Sequence, residues 1–119
     1  MVGLDFGTTY TGFSYCHVAN KQNMCSYNSW PGRDVQFKTN TALQYDDNYN
    51  NVLVWGAPAL AKRPNRRNKH NKHQRSKPVE LFKLYLADLK DYLKPRLPFD
   101  YKKAITDYLI EIGKVQFTF

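Results

Sequence analysis

Two places in this chain hold side chains that could handle an anion. The first is Asp5-Phe-Gly-Thr-Thr-Tyr10. Gly7 can take φ > 0 and lets backbone approach backbone, while Thr8 and Thr9 set two hydroxyls beside the exposed N–H groups of a bend. Successive N–H groups form a concavity for phosphate oxygens, and the hydroxyls add donors. Asp5 then faces the phosphates at a distance suited to a hydrated Mg²⁺. There is no Gly-Lys-Ser/Thr and no helix directly after the turn, so this is not the Walker-type loop. The plain alternative is an ordinary hairpin with a polar turn. The second place is Lys83, within Val79-Glu-Leu-Phe-Lys-Leu-Tyr-Leu86. A lysine set among apolar and aromatic residues must find a partner for its ammonium or reach water, and a strand lysine that snorkels outward is the alternative. His70 and His73 lie three apart with no Cys or carboxylate close by, which argues against a metal site. Cys16 and Cys25 read as buried free thiols, or as a disulfide if their strands pair.

These groups need elements to position them. Val2 and Leu4 alternate with Gly3 and Asp5, the period of a short strand, and Thr11 to Val18 reads as a second strand rich in aromatic and β-branched residues. Residues 1 to 18 are thus expected to form an antiparallel hairpin with Gly7, Thr8 and Thr9 at its turn. Met24 to Tyr27 reads as a third strand, Trp30 to Asp34 as a turn, and Lys38 to Tyr45 as one strand with Thr39, Thr41, Leu43 and Tyr45 on a common face. Asp46 to Asn51 is a turn before a short buried strand, Val52 to Trp55. Gly56 to Lys62 suits one or two helical turns with Pro58 in the first. Val79 to Leu86 returns to strand alternation, with Val79, Leu81, Lys83 and Tyr85 toward the interior. From Pro98 the period is helical: Tyr101, Ala104, Ile105, Tyr108, Leu109 and Ile112 form an apolar stripe. Pro98 and Asp100 suit the start of this helix, and Gly113 is a candidate stop.

The 119 residues carry a net charge of +8, and eight of the eighteen Lys and Arg fall between Lys62 and Lys77. Arg63 to Lys77 has nothing apolar to bury and reads as a solvated or disordered basic loop. It would attract phosphate backbone without reading sequence, which makes a small nucleic-acid-binding module, with Trp30 and Tyr27 as stacking groups, the rival reading. Against it, the basic run is not interleaved with aromatics. No apolar run approaches the roughly eighteen residues that span a bilayer, and no signal-peptide pattern precedes the first strand, which sets the expected address as the cytosol or nucleus.

Asp5-Phe-Gly-Thr-Thr-Tyr-Thr-Gly12 resembles the first phosphate-binding motif of the heat-shock protein 70 chaperones, in the actin and sugar-kinase ATPase superfamily, and most closely a divergent branch with Phe after the Asp. The order of later elements is also similar, with Gly56-Ala-Pro-Ala59 and Lys62-Arg63 standing where the family has Gly-x-x-Ala-Lys. Asn40 departs from the family's Pro. The resemblance implies an α/β fold, part of an actin-like (ribonuclease-H-like) domain with a hairpin-led mixed sheet and a C-terminal packing helix. It implies ATP and ADP as ligands, Mg²⁺ as cofactor, and client polypeptides as partners of the full-length family. In that scheme Gly7, Thr8, Thr9 and Tyr10 hold phosphate oxygens, Asp5 orients hydrated Mg²⁺, and Lys83 offsets charge on the γ-phosphate. The second phosphate loop, of Asp-x-Gly-Gly-Gly-Thr type, and the Gly-rich adenosine pocket are not in this sequence, and only four residues precede Asp5. The expectation is therefore an N-terminal fragment of such an ATPase that does not turn over ATP alone.

Overall fold

The computed structural model describes residues 1–32, 35–61 and 76–116. It is a small mixed α/β protein with two antiparallel sheets and one C-terminal helix. Most of the basic run (62–75), with His70 and His73, lies outside the described residues, as do Arg33 and Asp34 of the predicted turn.

Strand β1 (Val2–Phe6) and β2 (Tyr10–His17) form the expected hairpin, in register from Val2 opposite Tyr15 to Phe6 opposite Thr11. Strand β3 (Asn20–Ser26) extends the meander beyond the four residues expected, and β4 (Thr39–Asn40) pairs with the start of β2. The second sheet has the order β6 (Val52–Trp55), β5 (Ala42–Tyr45), β7 (Val79–Glu80). Every ladder between these strands is antiparallel, so the expected single mixed sheet is replaced by two antiparallel ones.

The strand expected over 38–45 divides at Thr41. Its first half serves the hairpin sheet and its second half the other sheet. Alternation suggests one exposed face there, yet every residue from Thr39 to Tyr45 is buried, because the segment runs between the two sheets. The strand expected over 79–86 ends after Glu80. Leu81 adopts φ 59°, a left-handed conformation that costs an L-residue roughly 1–2 kcal/mol, and a 3₁₀ turn follows over Phe82–Leu86. Burial of Phe82 against Phe6 and Tyr108 offsets that cost and outweighs the alternating pattern. Ala57–Leu60 forms the expected helical turn after Gly56, with Pro58 inside it.

The helix α1 (Tyr101–Gln116) starts where Asp100 accepts the Lys102 N–H at 2.8 Å, a side-chain N-cap. It passes through Gly113 without stopping. Ala104, Tyr108 and Ile112 form its buried stripe and join Phe13, Trp30, Leu43, Tyr45, Val79 and Phe82 in one core. The core covers only one end of the hairpin sheet. Val2, Leu4 and Met24 are exposed, and every residue of β3 is exposed.

Candidate functional site

Gly7 is required by space rather than by positive φ, since a Cβ there would lie 2.2 Å from the Tyr10 carbonyl oxygen. That oxygen belongs to the backbone and cannot swing aside, so the bend closes only around a glycine. The carbonyls of the bend are held from inside the protein. Lys83 Nζ donates to the Phe6 carbonyl at 2.5 Å, Thr41 Oγ1 to the Gly7 carbonyl at 2.7 Å, and the Thr41 N–H to the Thr9 carbonyl at 2.9 Å. Because the described peptide bonds are trans, each amide N–H points opposite to the carbonyl of its own peptide unit. With the Gly7 carbonyl turned inward, the Thr8 N–H faces away from the body, whereas the Phe6–Thr11 register aims the Gly7 N–H across the hairpin toward the Tyr10 carbonyl. Among the described residues the Thr8 N–H makes no hydrogen bond.

Behind the bend lies a buried hydroxyl network. Thr41 Oγ1 and Thr11 Oγ1 are 2.6 Å apart, and the Tyr108 hydroxyl, which donates to the Asn40 carbonyl at 3.0 Å, also interacts with both threonines. Burial in this network pushes the Tyr108 phenol up to about 12. Both threonines are fully buried, so these bonds are shielded from exchange with water.

Lys83 arrives as the structural consequence of the broken strand. The left-handed Leu81 and the 3₁₀ turn drive Phe82 into the core and leave the next side chain beside Phe6, with the ammonium 5.5 Å from that ring's centre. Its partner is thus the Phe6 carbonyl at the mouth of the turn. Asp5, the nearest carboxylate in the site motif, is not that partner: its carboxylate pairs with Lys38 at 2.6 Å. The hydrogen bond and charge of Lys38 hold the Asp5 carboxyl below the usual carboxylate range, slight burial opposes this, and Lys83 adds to the lowering. Asp5 is paired across the hairpin with Gly12, and Tyr10 stands two residues from Gly12, so Asp5 and Tyr10 share the outer face. Tyr10 is 48% exposed and lies within reach of solvent. Gly7, Thr8, Thr9, Tyr10, Asp5 and Lys83 are therefore gathered at one end of the hairpin.

Two residues at this site, Lys38 and Thr41, have no local motif in the sequence. The one sign of them is Gly12, since a glycine inside a strand marks a close approach by another backbone. A Cβ on Gly12 would lie 2.6 Å from the Phe37 carbonyl oxygen and 3.1 Å from Lys38 Cγ.

Trp30 is 1% exposed and sits edge-on to Phe13, Tyr27 and Trp55, so it is not available to stack on a base. Cys16 is buried and Cys25 exposed, both as free thiols. A polar concavity lined by Asn50, Asn51, Asp107, Glu111 and Lys114 shares no residue with the turn. Its carboxylates are already engaged, Asp107 by Tyr45 and Lys103, and Glu111 by Lys114. Among the described residues no group of three or more His, Cys, Asp or Glu side chains is placed to hold a metal, and no helix is long and apolar enough to cross a membrane. Comparison with protein-family models, curated proteins and solved structures returned no match to this chain.

Proposed function

We propose that this chain binds the phosphate chain of a nucleotide at the turn Gly7 to Thr9, as the first phosphate loop of a heat-shock-70-like ATPase of the actin type. One observation carries the reading. Lys83 and Thr41 engage the turn's carbonyls from within, which leaves the Thr8 amide, with the Thr8 and Thr9 hydroxyls beside it, as the outward donors. An outward amide and two hydroxyls flanked by the Lys83 ammonium suit an anion and repel a cation. By the resemblance the nucleotide is ATP, and the ancestral work is chaperoning of client polypeptides in the cytosol.

Catalysis of phosphoryl transfer is mostly positioning and charge stabilisation on all sides of the γ-phosphate. The turn, Asp5 and Lys83 supply one side, and the sequence holds no second Gly-rich loop to supply the other. Binding without turnover is therefore expected. The rival reading, a nucleic-acid module on residues 62–77, loses one of its two stacking groups to the burial of Trp30, and the other, Tyr27, is already stacked on Phe13.

Titration of the ¹⁵N-labelled chain with ATP, followed through amide chemical shifts, tests the proposal. Shifts at Gly7, Thr8 and Thr9 with no phosphate release above background are the expected result. Shifts confined to the basic residues 62–77, or none at the turn, would overturn it.

A further inference from the structure

We infer that this turn takes an oligophosphate without a divalent cation, because Lys38 supplies at Asp5 the positive charge that a hydrated metal would otherwise bring. The inference rests on the phosphate-turn reading and departs from the metal role that the resemblance gives Asp5.

The ion pair itself is not the argument, since both side chains are half exposed and such pairs contribute little to stability. What matters is how Lys38 is seated. Thr39 and Asn40 pair with Thr11 and Tyr10 and are buried, which fixes the backbone immediately after Lys38. The Lys38 stem then lies over Gly12, where the missing Cβ leaves room for it, and Gly12 is the cross-strand partner of Asp5. The ammonium is thus delivered to the Asp5 carboxylate by the fold. Lys83, bound to the carbonyl of the residue after Asp5, brings a second ammonium to the same strand end.

Two lysines and one carboxylate leave this end of the hairpin with net positive charge, beside the outward Thr8 amide. A divalent cation approaching Asp5 must displace Lys38 and meet the field of Lys83. An anionic ligand meets no such barrier, and it can draw the Lys38 ammonium from Asp5 onto its own oxygens through a charge-assisted hydrogen bond. Chains of phosphates suit this arrangement better than a single phosphate, because the Lys38 and Lys83 ammonium groups approach from different elements and can engage successive groups.

The test is calorimetric titration of the full chain with tripolyphosphate, in EDTA and in excess Mg²⁺. Equal or tighter binding in EDTA is expected. Lys38→Gln should weaken binding in EDTA by about tenfold, the loss of one charge-assisted contact, and Lys38→Arg should retain most of it. Lys21→Gln removes the same charge from exposed β3 and should leave affinity unchanged. Binding that requires Mg²⁺, or a Lys38→Gln variant that binds as tightly as the parent in EDTA, would overturn the inference while leaving the phosphate turn standing. Absence of binding in both buffers would overturn the turn reading and this inference together.

Discussion

At Thr41 a single residue ties down two carbonyls of the phosphate turn, one through its hydroxyl and one through its amide. A turn of this kind cannot orient itself, since Gly7 gives it freedom and the Thr8 and Thr9 side chains make no hydrogen bond among the described residues. Thr41→Val keeps shape and volume but leaves the Gly7 carbonyl and the Thr11 hydroxyl short of a partner in a buried site. We expect a loss of about 1–3 kcal/mol in urea unfolding and a displaced Thr8 amide chemical shift, with Thr41→Ser recovering most of both. An unchanged Thr8 amide shift in Thr41→Val would show that the turn holds its shape by other means. Gly7→Ala should be worse for ligand than for stability, because the added methyl meets the Tyr10 carbonyl and must re-aim the bend itself.

Among the elements, β5 and β3 stand at opposite extremes. β5 is flanked by β6 and β7 and is buried throughout, whereas β3 is exposed at every residue and lies outside the core. Native-state amide exchange should therefore be slowest at Leu43 and Gln44 and fast along β3, with β1 between them because its far end, Phe6, packs on Phe82 and Tyr108. Uniform protection across both sheets would mean that the hairpin is stabilised by contacts the core does not supply. The same packing logic explains the broken strand at Leu81. Phe82→Ala should cost about 3–5 kcal/mol by the cavity it leaves, and it should also release Lys83 from the Phe6 carbonyl, since Phe82 is the anchor that aims it.

For the molecule as a whole, one core joins the two sheets to the helix, and Tyr108 is its polar rivet. The phenol is held neutral by burial, so its folded value of about 12 lies above the ordinary 10.0. A raised value means that the folded state keeps its proton more tightly, so the contribution is complete below about pH 10 and is lost as pH rises toward 12. Two pH units correspond to at most about 3 kcal/mol. Tyr45 moves in the same direction, through burial and its hydrogen bond to Asp107. Alkaline unfolding monitored by circular dichroism should begin near pH 10. Tyr108→Phe, which keeps the ring and loses the bond to Asn40, should be less stable at neutral pH with a shallower loss above pH 10. An identical alkaline slope in the variant would assign that loss to other groups.

What the sequence determined by itself was local. Alternation through Val2 to Phe6 and from Thr11 onward, interrupted by Gly-Thr-Thr, specifies a hairpin whatever surrounds it, because a two-residue period and a permissive turn are properties of neighbours. The helix from Asp100 is legible for the same reason, in its cap and its apolar stripe. Tertiary structure decided what depends on distant surfaces. Thr39 to Tyr45 and Val79 to Leu86 both alternate like single strands, yet the first divides between two sheets and the second turns left-handed at Leu81. Burying Phe82 and packing the 39–45 segment on both sides outweighs the preference of either stretch for one extended face. The site follows the same rule. Gly7, Thr8 and Thr9 could be read in order along the chain, but the partners that aim the turn, Thr41 and Lys83, and the cation that neutralises Asp5, Lys38, come from residues 33 to 77 positions away. No pattern of neighbours encodes those distances, and only the folding of the hairpin against the second sheet and helix brings the groups together.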